Sequence, residues 1–198
     1  MLRALTFDFW GTLYQNAYAR EERLQILGRA LAQAGRPRAW EDLEAAYQHG
    51  WAYFNQVWLQ ERRPVAVAEW LREMLRFLEA ELAPEIQESL CRPIEEVLLE
   101  APPQPVPGVT EVVSRLAGRF PLGLISDVGL TPGRVLRDIL RRDGLLPHFR
   151  VLTFSDESGV TKPCPEAFLR TLAGLGVTPG AVSYTHLRAH ETPEHLVC

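Results

Sequence analysis

The rhythm of apolar positions changes three times along the chain. Residues 2–9 form an almost continuous apolar run with β-favouring Thr6 and Phe7, which predicts a short strand buried on both faces that closes at Asp8 and a turn at Gly11. Residues 17–100 follow helical spacing instead, with breaks near 35–37, 63–64 and 83–84, and this predicts four helices over about 17–34, 40–62, 65–82 and 85–100. In the second of these, Trp51, Phe54 and Trp58 recur at helical intervals, as expected of a face packed into a core. The prolines of the stretch 101–108, APPQPVPG, exclude a regular helix and mark a stiff connector. Beyond it a helix over 109–119, a strand over 121–125, a helix over 132–142 capped by Thr131, a strand over 150–154 and a helix over 166–174 alternate.

Strands separated by single helices require parallel pairing with right-handed crossovers. The expected fold class is therefore α/β, a doubly wound parallel sheet built from residues 1–14 and 101–181. An all-helical cap, residues 15–100, is inserted after the first strand.

Composition narrows the function classes. A hydrophobic fraction of 46% with 23% charged residues suits a folded domain, and a net charge of −4 without a basic stripe argues against a nucleic-acid partner. No apolar stretch reaches the length of a bilayer span and the start does not read as a signal peptide, so no membrane partner and a cytoplasmic location are expected. Cys91, Cys164 and Cys198 show neither paired nor metal-ligand spacing. Nothing in the sequence speaks to oligomeric state. The decisive compositional feature is that twenty arginines accompany a single lysine, Lys162. An ammonium kept where every other cation is a guanidinium points to a crowded anionic site that needs a compact charge.

Residues 182–198 break the pattern, holding His186, His190 and His195 out of five histidines in the chain. Back-translated, VSYTHLRAHET resembles a transposon-based sequencing adapter, so this tail is expected to be a non-native processing scar. The helical spacing of His186 and His190 beside Glu191 is then no metal site.

Ligands of open parallel sheets sit at the carboxyl ends of the strands. Asp8 follows the first strand in FDFWGTLY, Ser126 the second in LGLISDVG, and Lys162 lies beyond the third in SDESGVTKPCPEAF. A carboxylate, a hydroxyl and an ammonium converging there provide a nucleophile, a hydrogen-bond donor and a charge neutraliser. Local capping is the alternative for Ser126 and Asp127, and also for Asp156 and Glu157.

These three segments, in this order and with a helical insert between the first two, resemble the motifs of the haloacid dehalogenase superfamily over residues 1–181. The resemblance implies a Rossmann-like core and hydrolysis of a small-molecule substrate. Asp8 would attack and form an aspartyl ester, Ser126 would hold an oxygen of the transferring group, and Lys162 would offset the gathered negative charge. It further implies that magnesium (Mg2+), where used, takes the Asp8 carboxylate and the Trp10 main-chain carbonyl. Trp10, Gly11, Thr12 and Asp127 would line the substrate.

The sequence departs from that pattern in three places. Phosphatases of the superfamily carry an aspartate two residues after the nucleophile as acid and base, and here Trp10 stands there, as an aromatic residue does in its dehalogenases. Loss of such an acid costs roughly 10²–10⁴ in rate, whereas a halide leaves without a proton. The dehalogenases also use a cap arginine, for which Arg20, Arg23, Arg36 and Arg38 are candidates. The fourth, acidic motif is expected just after residue 181, where the adapter-like tail stands, so the chain is expected to be C-terminally truncated, weak in magnesium binding and nearly inactive. The first strand would be left with an open edge. A reading of a different class is a catalytically silent relative that binds a metabolite or protein in the same crevice.

Overall fold

The computed structural model describes residues 2–185. Four strands, β1 (Ala4–Phe7), β2 (Leu122–Ser126), β3 (Phe149–Phe154) and β4 (Val182–Thr185), form one parallel sheet in the order β3-β2-β1-β4. Every residue of β1 and β2 is buried, in keeping with a parallel sheet covered on both faces. The order places β1, and so its carboxyl end, in the middle of the sheet. The fold is α/β and Rossmann-like, as predicted, with a helical cap.

Between β1 and β2 run α1 (Arg20–Gln33), α2 (Trp40–Gln60), α3 (Val67–Phe77) and α4 (Pro84–Glu100), followed by α5 (Val109–Ala117). The first four match the predicted helices, the third ending five residues early. Their buried faces share one apolar cluster around Leu24, Leu27, Leu31, Phe54, Trp70, Leu71, Met74 and Ile94. Trp70 is so close to α2 that a Cβ on Gly50 would come within 2.6 Å of its indole Nε1. A second cluster, around Phe7, Phe9, Tyr14, Val113, Leu124, Leu136 and Phe154, fills the sheet and its helices. Of the predicted aromatic stripe, Phe54 is buried in the cap cluster, whereas Trp51 and Trp58 are only partly covered there.

The chain after β2 gives α6 (Gly133–Arg142), β3, a single turn α7 (Ser155–Ser158), and α8 (Pro165–Leu175), which starts on a proline free of any N–H obligation and stops at left-handed Gly176. Two expectations are corrected. Thr131 does not cap α6: its hydroxyl accepts Arg23 at 2.9 Å, and Asp156 Oδ2 receives the Gly133 N–H at 3.0 Å instead. Nor does strand character stop at residue 181, because β4 pairs with β1 from Ala4↔Val182 to Phe7↔Thr185 and covers the edge expected to be open. Val182, Tyr184 and Thr185 are strand-favouring, and a parallel edge asks only for correctly spaced main-chain groups. Residues 186–198, with His186, His190, Glu191 and His195, lie outside the described residues.

Candidate active site

Where β1 ends, the chain makes a tight turn. Gly11 takes φ 68°, which suits a residue without a Cβ, and the Leu13 and Tyr14 N–H groups both donate to the Phe9 carbonyl, at 2.9 and 3.0 Å. This turn holds Asp8 at the mouth of the sheet with a relative exposure of 1%. An isolated carboxylate there would be costly. It is stabilised by the Phe9 N–H on Oδ1 at 2.7 Å and by Lys162 Nζ on Oδ2 at 2.8 Å. Residues 154 positions apart in the chain thus meet as a buried ion pair.

Lys162 is itself buried, and its ammonium also donates to the Tyr184 hydroxyl at 3.3 Å. Burial works against its charge, but the Asp8 and Asp127 carboxylates oppose burial and hold its pKa above the ordinary lysine range. Tyr184 is pushed up to about 12 by burial and by Asp8, with Lys162 opposing, so it stays a neutral phenol. The loop carrying Lys162 is tied down on both sides. Its main-chain N–H reaches both Asp127 oxygens, at 3.1 and 3.3 Å, and the Thr161 N–H donates to the carbonyl of Arg62, two residues past α2, at 3.1 Å. Asp127 also accepts Trp58 Nε1 from α2 at 3.2 Å. Its pKa is pushed up to about 6, burial being the main cause, Lys162 opposing it and Asp8 adding to it.

The register Phe7↔Leu124 sets the end of β2, and with it Ser126, alongside Asp8. The Ser126 hydroxyl donates locally to the Asp127 carbonyl at 3.0 Å. Thr12 is buried in the turn, and Trp10 is half-buried with its ring edge-on to Phe9, 4.7 Å between centroids. Asp156 caps α6 and Glu157 pairs with Arg137, so neither joins the cluster.

The four candidate cap arginines separate. Arg36 and Arg38 lie toward the far end of the cap, with Arg38 donating to the Leu78 carbonyl. Arg20 pairs with Glu44 at 3.3 Å. Arg23, 2% exposed, spans cap and core by donating to Ile94 O at 3.2 Å, Thr131 Oγ1 at 2.9 Å and Tyr18 O, and burial pushes its pKa down to about 10.

A family model for haloacid dehalogenase-like hydrolases matches residues 2–183. The chain belongs to this haloacid dehalogenase-like hydrolase family. Its fold is similar to a 2-haloacid dehalogenase from Pseudomonas syringae pv. tomato DC3000, at 26% identity and TM-score 0.63, covering 93% of this chain and 77% of that one. It is similar as well to a putative β-phosphoglucomutase from Thermotoga maritima, at 25% identity and TM-score 0.61, covering 92% and 75%. An L-2-haloacid dehalogenase from Xanthobacter autotrophicus shares the fold at 19% identity and TM-score 0.55, covering 93% and 69%. No curated protein matches the chain.

For this haloacid dehalogenase-like hydrolase the magnesium expectation can be set against the donors present. Asp8 already holds the ammonium, Asp127 is occupied by Lys162 N–H and Trp58, and among the described residues no three His, Cys, Asp or Glu side chains converge. Such an ion would find at most the Asp8 and Asp127 carboxylates here, and the rest of its oxygen shell would have to come from main-chain carbonyls such as that of Trp10, from water and from substrate.

Two contributors carry no clear signal in the sequence. Helical spacing places Trp58 in the cap core, although its indole N–H gives it a reason to find a polar partner. Tyr184 stands in the segment expected to be foreign, and no pattern in the sequence links it to Lys162.

Proposed function

We propose that this hydrolase uses Asp8 as a nucleophile on a small molecule, with the cap at residues 15–100 closing over a core of 1–14 and 101–181. The observation that carries the reading is the buried 2.8 Å pair of Asp8 and Lys162 at the carboxyl end of the central strand. An Asp8 oxygen attacks the electrophilic carbon, the bond to the leaving group breaks with its electron pair, and an ester to Asp8 remains. Water then attacks the ester carbonyl, frees the hydroxylated product, and returns Asp8 to its carboxylate with loss of a proton. Lys162 neutralises Asp8 and the charge that develops beside it, and Ser126 turns its hydroxyl toward an oxygen of the substrate. Trp10 cannot give a proton to a departing alcohol. This favours a leaving group that needs none, and with it halide displacement over phosphate ester hydrolysis.

The test measures halide release from short 2-haloacids and phosphate release from a panel of esters, with wild-type protein and Asp8→Asn, with and without magnesium. Turnover of haloacids lost in Asp8→Asn is expected. In water enriched in oxygen-18, a single turnover should leave the heavy isotope in the peptide containing Asp8, because water attacks the aspartyl carbonyl. No turnover of either class under any condition, or label confined to the product, would sink the proposal. The first outcome would leave a silent binding protein, the alternative that the departures from the family pattern at Trp10 and Asp127 motivate.

A further inference from the structure

Lys162 stands on neither a helix nor a strand. It belongs to the loop at 159–164 between α7 and α8, where its neighbour Pro163 has no N–H to give. A lysine ammonium sits at the end of a flexible four-carbon stem, so it keeps a fixed place only if the main chain beneath it is fixed. That main chain is tied to other elements through two consecutive N–H groups, those of Thr161 and Lys162.

Both ties lead to the same end of α2. The Thr161 N–H donates to the carbonyl of Arg62 at 3.1 Å, and Arg62 takes the left-handed φ of 55° that commonly closes a helix. The Lys162 N–H donates to Asp127 Oδ1 and Oδ2 at 3.1 and 3.3 Å, and Oδ2 also accepts Trp58 Nε1 at 3.2 Å. Trp58 and Arg62 are four residues apart, one turn along the chain. A loop that belongs to the core thus takes its outside anchors from the cap.

The two anchors differ in kind. Arg62 offers a main-chain carbonyl, which any residue supplies. Trp58 offers a side chain, and its chemistry suits the task. The Asp127 carboxylate is only 7% exposed, and bonds to one main-chain N–H alone leave it free to turn about its Cβ–Cγ axis. A second donor from a different element fixes its plane. An indole N–H only donates, carries no charge and sits on a rigid ring, so it holds a carboxylate in place without neutralising it.

We infer that Trp58 is a positioning residue for the Lys162 ammonium: it orients the Asp127 carboxylate, which holds the Lys162 main chain, which sets the ammonium 2.8 Å from Asp8. The inference rests on the proposed chemistry only in treating that ammonium as part of a catalytic site.

The experiment exploits Lys162 being the single lysine of the chain. The whole protein is acetylated with N-hydroxysuccinimidyl acetate at fixed pH in native buffer, and the rate at Lys162 is read by peptide mass spectrometry, separately from the α-amine. A buried ammonium reacts only through local opening, so the rate reports how firmly it is held. Trp58→Phe should raise it about tenfold, the lower end of what a hydrogen bond to a charged group contributes. Incorporating 3-benzothienylalanine at position 58, which puts sulfur in place of the N–H on a ring of the same shape, should do the same and isolates the bond from packing. Gly50→Ala, which strains the same helix against Trp70, should leave the rate unchanged. In an Asp127→Ala background, Trp58→Phe should add nothing. Unchanged rates in both position-58 variants, equal acceleration by Gly50→Ala, or a further tenfold gain in the Asp127→Ala background overturns the inference.

In a parallel arm, Trp58→Phe should lower kcat for 2-chloropropanoate about tenfold with KM unchanged. A raised KM at constant kcat would place Trp58 on the substrate instead and overturn the positioning role. Acceleration of acetylation in a wild type that turns over no substrate leaves Trp58 as the residue that places Lys162 and removes the Asp8 chemistry. Haloacid turnover with acetylation and kcat indifferent to position 58 does the reverse.

Discussion

Replacing Asp127 with Asn keeps the shape of a buried side chain and removes a charge that the folded protein holds at a cost. The carboxyl rises from 3.8 to about 6 on folding, chiefly through burial. A raised folded-state pKa means that the native protein keeps its proton where the unfolded chain has already lost it. The associated stability is fully present below about pH 3.8 and is lost as the pH rises through about 6. The full loss is about 3 kcal/mol, of which about 2.5 falls between pH 4 and pH 8. Asn has no such dependence. Its one oxygen does best at the Oδ2 position, where both Trp58 Nε1 and the Lys162 N–H can reach it, at 3.2 and 3.3 Å. Its amide nitrogen then faces the Lys162 N–H where Oδ1 now accepts at 3.1 Å. That lost bond costs roughly 1 kcal/mol at every pH. Asp127→Asn is therefore expected to be slightly less stable than wild type at pH 4 and about 2 kcal/mol more stable at pH 8. Urea unfolding of both proteins at both pH values measures it, and groups common to the two cancel in the difference. A stability difference that does not change with pH, or that favours the wild type more at pH 8, would refute the assignment of Asp127 as a buried carboxylate strained by ionisation.

Three further outcomes follow from the same geometry. Lys162→Met strands a buried carboxylate and should cost about 3–5 kcal/mol in denaturant unfolding. Most of that should return in the Asp8→Asn/Lys162→Met double variant, and additive losses would show that the two groups do not act as a pair. Arg23→Met retains bulk but leaves the Ile94 and Tyr18 carbonyls without their donor. We expect a loss of about 2 kcal/mol and faster proteolysis in the 15–100 segment, since the clasp to Thr131 goes with it. Gly50→Ala pushes a methyl against the Trp70 indole at 2.6 Å and should destabilise by ~1–3 kcal/mol, read as a lower thermal midpoint, with a matching loss in Trp70 near-ultraviolet signal.

The sheet and the cap were legible because their signals are long-range in sequence: an uninterrupted apolar strand, four helical periods, a proline-rich connector, then strict alternation. The Asp8–Lys162 pair was legible for a compositional reason, since a lone lysine among twenty arginines singles itself out. What the sequence withheld was the use made of polar groups at short range. Thr131 carries every local sign of a helix cap, yet a buried guanidinium 108 residues away competes for its hydroxyl. Asp127 could cap a turn or face a ligand on sequence alone, and only its place between Trp58 and the Lys162 amide distinguishes these. The strand at 182–185 was missed because its histidine-rich continuation suggested an alien segment, whereas edge pairing depends on backbone and spacing.

The Thr161 N–H bond to the Arg62 carbonyl couples two events that could have been separate. Arg62 lies two residues past the second cap helix, and Thr161 is the neighbour through which Lys162 is threaded. A cap that lifted would, through this bond, pull on the strap bearing the ammonium and draw it from its counter-ion. On the proposed chemistry, departure and disarming would then be one movement, and the protein would meet bulk water with Asp8 out of alignment rather than primed.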